Sequence, residues 1–169
     1  MLSDYDEVRM ETMPGALTFG QMVLRLSLAV VLGAVVGAER ELVGKEAGIR
    51  TDIMVAAGAA VFSIAAIQLP YLISLDPQHL RDVLARNSGF LGLVANVVVG
   101  IGFLGAGIIV KQGAHVRGLT TAATVWFVAA IGVLCGIGLV GFAITVALGL
   151  ALLLLVLRKI GFDLLLPKD

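Results

Sequence analysis

Residues 90–110 read FLGLVANVVVGIGFLGAGIIV. The run holds no charged side chain and one amide, Asn96. A helix needs ~20 predominantly apolar residues to cross the hydrocarbon core of a bilayer, so this run is long enough to span one. Within it, Gly100-Ile101-Gly102-Phe103-Leu104-Gly105 matches the spacing G-x-G-x-x-G. The dinucleotide fingerprint requires a strand before the glycines and a helix opening on them. These glycines fall inside an apolar run, so the match carries no nucleotide site.

Four further apolar runs flank this one, at residues 17–38, 53–73, 119–134 and 139–157. Of the 169 residues 59% are hydrophobic, about 100 side chains, which matches five spans of ~20 residues. Only 14% are charged, against ~25% in soluble domains. That composition excludes a soluble enzyme of ordinary build and a disordered chain, which would be rich in charge. The expected fold is all-α: a polytopic membrane protein with five transmembrane helices in a Gly-rich bundle. A polar segment, 1–16, precedes the spans and lacks the basic start of a cleavable signal peptide. A short tail, 158–169, follows them.

The basic residues are sided. Arg40, Lys45, Arg50, Lys111, Arg117, Arg158, Lys159 and Lys168 fall on one side of the expected spans, and Arg9, Arg81 and Arg86 on the other. The positive-inside rule puts the N-terminus outside and the C-terminus in the cytoplasm, as an odd number of spans requires. With 12 basic and 12 acidic residues, no basic excess points to nucleic acid. Residues 76–87 (DPQHLRDVLARN) offer Asp76 as an N-cap, Pro77 at the first helical position and an apolar face of Leu80, Val83 and Leu84. They read as a short helix in the outer interface or as a solvated connector.

Glycine supplies 21 residues, about 12%, where average usage is ~7%. Gly33 and Gly37, and Gly132 and Gly136, are spaced i, i+4, and Ala56 and Ala60 repeat that spacing. Such pairs let helix backbones approach closely in lipid, where packing drives association. Gly100, Gly102, Gly105 and Gly107 crowd the third span. They fit either close packing in one bundle or its dimer, or a helix that unwinds to present carbonyls to a substrate.

Arg25 is the one charge deep in a span. Intramembrane ionisable groups are costly and mark function by default. Its candidate partners are Asn96, glycine carbonyls or a loop acid; the alternative is snorkelling to the headgroups. The densest polar stretch is Glu39-Arg40-Glu41, Lys45-Glu46 and Arg50-Thr51-Asp52. Mg²⁺ prefers carboxylate and water oxygens, which makes Glu39 and Asp52 weak metal candidates. The interleaved bases favour internal ion pairing instead. His79, His115 and Cys135 offer no zinc set, and no nucleophile–base arrangement is visible, so no enzyme activity and no cofactor is expected. Cys135 reads as a small buried hydrophobe.

Four ordered segments resemble one family. They are Arg25-Leu26 with Gly33-x-x-x-Gly37-x-Glu39-Arg40-Glu41; Ala47-Gly48-Ile49-Arg50-Thr51; Gly100 to Gly107; and Val116-Arg117-Gly118-Leu119-Thr120-Thr121-Ala122-Ala123 followed by Trp126. From about residue 20 to 157 the chain resembles the MgtC/SapB family of bacterial inner-membrane proteins. The resemblance implies a five-span domain, 17–157, in the bacterial plasma membrane with its N-terminus outside. It links the chain to low-Mg²⁺ adaptation, to a virulence-associated family and to a membrane partner such as F-type ATP synthase.

Two departures stand out. Family members with a soluble C-terminal domain extend beyond the point where this chain ends, Asp169. Relatives also often carry an Arg and a Gln where this chain has Gly92 and Asn96, and residues 76–99 are longer than the usual approach to the Gly motif. Beside the lipid bilayer, a homo-oligomer and a regulatory role on a membrane partner are expected. The competing expectation is a small transporter or channel for Mg²⁺ or another small solute, resting on Arg25 and Asn96. The segments shared with the family add Glu39, Arg40, Arg50, Thr51, Arg117, Thr120 and Thr121 as candidate functional polar residues, and the polar stretch adds Asp52.

Overall fold

A computed structural model describes residues 15–74, 77–86 and 89–159. Six helices follow in chain order: α1 (Phe19–Leu42), α2 (Ile49–Ile73), α3 (Pro77–Arg86), α4 (Gly89–Ile108), α5 (Leu119–Ile137) and α6 (Val140–Lys159). Between α4 and α5 lies a two-stranded antiparallel hairpin, β1 (Val110–Gln112) and β2 (His115–Arg117). Helices α1, α2, α5 and α6 are each long and apolar enough to cross a membrane. The described apolar part of α4, Gly92–Ile108, is shorter. This is the make-up of an all-α membrane protein.

Local chemistry sets the helix ends. Thr18 caps α1: its hydroxyl accepts from the Gln21 N–H at 3.3 Å, and the Gln21 side chain accepts from the Thr18 N–H at 3.1 Å. This reciprocal pair satisfies two amides that the first turn leaves open. At its far end α1 runs to Leu42, beyond residue 38, because Glu39, Arg40 and Glu41 are good helix formers. Likewise α2 opens at Ile49, four residues before the apolar run, so Arg50, Thr51 and Asp52 lie on its first turn rather than in a loop. Pro70 sits in the last turns of α2, and Ser74 closes the helix by donating its hydroxyl to the Pro70 carbonyl at 2.6 Å.

The connection from α4 to α5 folds as this hairpin. Its two-residue turn, Gly113-Ala114, is followed by Gly118, which takes a positive φ of 83°. A side chain at Gly118 would run into the Ile108 carbonyl. Only glycine lets the returning strand pass the end of α4 and start α5.

Helices α2 and α5 form the centre. Half of the most apolar window of α2 and 56% of that of α5 are buried, against 22% for α1 and 11% for α6. Helix α1 packs on α2, α4 on α2 and α5, and α6 on α1 and α5. The core consists mostly of small residues, with Ala29, Val36, Ala56, Ala60, Val125, Val128 and Ile131 fully or almost fully buried. Helix α3 rests on α2 through the buried Leu80, while Gln78, His79, Arg81 and Asp82 are exposed. The expected N-cap Asp76 lies outside the described residues.

Candidate functional site

The interior is assembled by glycine contacts among three helices. A Cβ at Gly33 would lie 2.7 Å from the Asp52 carbonyl oxygen and 3.0 Å from Ala56 Cβ. One at Gly37 would lie 2.6 Å from Ile49 Cα and 3.1 Å from Asp52 Cβ. From the other side, a Cβ at Gly132 would strike the Ala56 backbone, and one at Gly136 would meet Ser63 Cβ at 2.5 Å and the Ala60 carbonyl at 2.7 Å. Ala56 is thus pinned between α1 and α5. At each of the four glycines at least one of these contacts is to α2 backbone, a close approach that small residues allow.

This close approach sets a charged cluster at one end of the bundle. Glu39 and Arg40 come from the last turn of α1, Asp52 from the first turn of α2 and Thr121 from the first turn of α5. All four are buried, Asp52 completely. Arg40 Nη1 lies 3.7 Å from Glu39 Oε2, and Arg40 Nη2 donates to Thr121 Oγ1 at 3.5 Å. Thr121 Oγ1 in turn donates to Glu46 Oε2 at 2.6 Å, latching the 43–48 loop onto α5. Glu41 braces the same loop, its Oε2 accepting from the Ile49 N–H at 2.9 Å. Among the described residues, Arg40 Nε, Glu39 Oε2 and both Asp52 carboxylate oxygens have no hydrogen-bond partner. Two buried carboxylates thus share this end of the bundle with one buried guanidinium, which pairs with Glu39. The Thr121 hydroxyl holds the Glu46 carboxyl below its usual range; its own backbone amide and the charges of Lys45 and Arg40 act in the same direction.

The other sequence candidates scatter. Arg50, Arg117 and Thr120 are exposed and Thr51 is half-buried, outside this cluster. Among the described residues no three His, Cys, Asp or Glu side chains come together to hold a metal ion. Glu39 and Asp52 remain two carboxylates at one end of the bundle, with Arg40 beside Glu39.

Arg25 sits toward the opposite end of α1, fifteen residues before Arg40, or about 22 Å along the helix. Its Nη1 donates to the Gly136 carbonyl at 2.8 Å, one of the open carbonyls of the last turn of α5. A cation is favoured there by the helix dipole. Gly138, at φ 93°, caps α5, and a Cβ there would lie 2.7 Å from Arg25 Nη2. Arg25 therefore pairs with a glycine carbonyl, not with Asn96. Asn96 lines a cavity of about 480 Å³ between α2 and α4, beside Met54, Phe62, Leu93, Val97 and Gly100.

The α4 glycines differ from those of α1 and α5. Gly100, Gly102 and Gly107 have nothing within 4 Å of a built Cβ, and Gly105 makes ordinary contact with Ala122 at 3.7 Å. Helix α4 packs on the core through Val97, Ile101 and Ile108, which turns most of its glycines outward. Gln68 was not singled out from the sequence. It is buried in α2 and donates to the Leu17 carbonyl at 3.0 Å, fixing the start of α1. An amide inside an apolar run was the available signal. Glu46 had none, since its partner Thr121 is 75 residues away.

This geometry defines the class: a helical membrane protein whose small-residue core ends in a buried charged cluster. The sequence profile of the MgtC family matches residues 26–162, and the chain belongs to that family. Protein MgtC of Salmonella typhimurium strain LT2 is 44% identical over 116 residues, covering 69% of this chain and 43% of that protein. Protein MgtC of Brucella abortus strain 2308 is 46% identical over 118 residues, covering 70% and 43%. The aligned part of the chain spans less than half the length of these relatives. No solved structure matches it.

Proposed function

We propose that this chain is a non-enzymatic regulatory protein of the bacterial plasma membrane, acting in low-Mg²⁺ adaptation by binding another membrane complex, with F-type ATP synthase the candidate. On this reading α4 is the fifth span, the N-terminus lies outside and the charged cluster faces the cytoplasm. The sided basic residues support that orientation.

The observation that carries the reading is the backbone contact at Gly33, Gly132 and Gly136. It fills the α1–α2–α5 interior beneath the charged cluster, where a solute path through the bundle would run. Such a bundle offers surfaces to a partner more readily than a pore to a solute. The test is affinity purification of the intact chain from native membranes, with ATP-driven proton pumping measured in inverted vesicles. A stoichiometric membrane complex and lowered pumping are expected. Recovery of the chain alone, with pumping unchanged, overturns the ATP synthase reading.

A second reading, a small transporter for Mg²⁺ or another small solute, is favoured by one observation. Asp52 is fully buried and neither carboxylate oxygen is hydrogen-bonded, and buried carboxylates without partners mark ion pathways in membrane proteins. It predicts flux through the protein that Asp52→Asn abolishes while the folded protein persists.

A further inference from the structure

We propose that the groove between α2 and α4 is where a second copy of this chain docks, with the Asn96 amides of the two copies hydrogen-bonded to each other across a two-fold axis. The inference rests on the regulatory reading's placing of α4 as the fifth span and not on the regulatory role itself.

Away from the helix ends, Asn96 and Ser27 are the exposed polar side chains with no hydrogen bond among the described residues, and Asn96 carries the greater unmet demand, an amide with two N–H donors and an acceptor oxygen. Arg25, Ser63, Gln68, Thr124 and Thr145 each donate to a backbone carbonyl. Asn96 is exposed, and no hydrogen bond to it is found among the described residues. It is also the one polar side chain lining the 480 Å³ groove, whose other walls include Met54, Phe62, Leu93 and Val97. Its depth removes the usual escape. Asn96 stands seven residues from Gly89 and twelve from Ile108, about 10 and 18 Å along the helix. A two-carbon amide side chain cannot snorkel that far, unlike Lys or Arg. An amide left without partners in hydrocarbon is unfavourable, and asparagine side chains accordingly bond across membrane helices.

The chemistry selects the occupant. A carboxamide carries two N–H donors and an acceptor oxygen, so it is complementary to itself. A second copy inserted in the same orientation presents its amide at the same depth by symmetry. A two-fold axis along the membrane normal then pairs Asn96 with Asn96 in an isologous contact. An unrelated helix would need its own polar group at a matched level. The approach is unobstructed: Gly92 and Gly100, one turn on either side of Asn96, have nothing within 4 Å of a built Cβ. Helix α6 offers no such site, because its Thr145 hydroxyl is already bound to the Gly141 carbonyl at 2.9 Å.

The test is disulfide cross-linking of the intact chain in native membranes, in a Cys135→Ser background. Single cysteines are placed at Gly100 on α4 and at Leu148 on α6, the latter an outward-facing control. A dimer-sized product is expected from Gly100→Cys and not from Leu148→Cys. Adding Asn96→Leu is expected to weaken dimerisation roughly five- to thirtyfold, the factor that one or two amide contacts confer, and Asn96→Gln is expected to retain it. Thermal unfolding in detergent checks that Asn96→Leu still folds. Equal cross-linking at Leu148, an unchanged yield with Asn96→Leu in folded protein, or a Gly100→Cys product of another mass and no dimer each overturns the proposal.

Discussion

Gly132→Ala adds a single methyl at the crossing of three helices. That methyl would strike the Ala56 carbonyl oxygen and lie 2.9 Å from both Ala56 Cα and its carbonyl carbon. Ordinary van der Waals contact starts at 3.4 Å, so α5 must retreat by at least 3.4 − 2.9 = 0.5 Å. The atoms met are backbone, which cannot swing aside as a side chain tip can. Nor can α2 yield, because Gly33 of α1 lies against Ala56 Cβ and the Asp52 carbonyl on its other side. Forcing a methyl into a well-packed core costs ~1–3 kcal/mol. The substitution also changes helix propensity, and Gly149→Ala isolates that effect, since nothing lies within 4 Å of a Cβ there. Both sites lie inside helices, so the two propensity terms cancel. Gly132→Ala is therefore expected to be less stable than Gly149→Ala by ~1–3 kcal/mol, measured by reversible unfolding in bicelles or by thermal unfolding in detergent. Equal stability of the two variants refutes the claim that backbone contact at Gly132 holds α5 on α2.

Three further outcomes are expected. Arg25→Leu removes a charged donor from the Gly136 carbonyl and should lower stability by ~1.5–3 kcal/mol, a loss that Arg25→Lys restores in part; thermal unfolding in detergent measures both. Gly138→Ala should destabilise by ~1–2 kcal/mol in the same assay, because an L-residue resists a φ of 93°. Thr121→Val should loosen the 43–48 loop and speed its amide exchange. It should also change the acid response. Glu46 has a lowered pKa in the fold, so its contribution is present above the ordinary carboxylate value and fades as pH falls through the lowered one. Without the Thr121 hydroxyl that low-pH loss of stability shrinks, and an unchanged acid profile would show that the latch contributes nothing.

The sequence spoke most clearly where a pattern is local. Long apolar runs and i, i+4 small residues reflect helix period alone, and the contacts at Gly33, Gly37, Gly132 and Gly136 follow the same period. Local spacing does not reveal which face of a helix meets a neighbour. The glycines of α4 share the composition of the others, yet Gly100, Gly102 and Gly107 face outward because Val97, Ile101 and Ile108 supply the contact face. The charged end is legible only in part for a related reason. Glu39 to Glu41 and Arg50 to Asp52 lie outside the apolar runs, yet they form helical turns, and the close approach of α1 and α2 buries Glu39, Arg40 and Asp52 while Glu41 and Arg50 stay exposed. Partnerships across the chain left no trace in spacing. Thr121 with Glu46 and Arg25 with Gly136 are separated by 75 and 111 residues, and only the packing of α5 brings them together.

Backbone contact closes the interior of the bundle, and Mg²⁺ flux into liposomes containing only the purified chain tests that closure most directly. Flux no greater than in protein-free liposomes, across an imposed Mg²⁺ gradient and with the incorporated protein shown to be folded, is the expected result. Saturable Mg²⁺ entry that is lost in Asp52→Asn and retained in Gly149→Ala would contradict it.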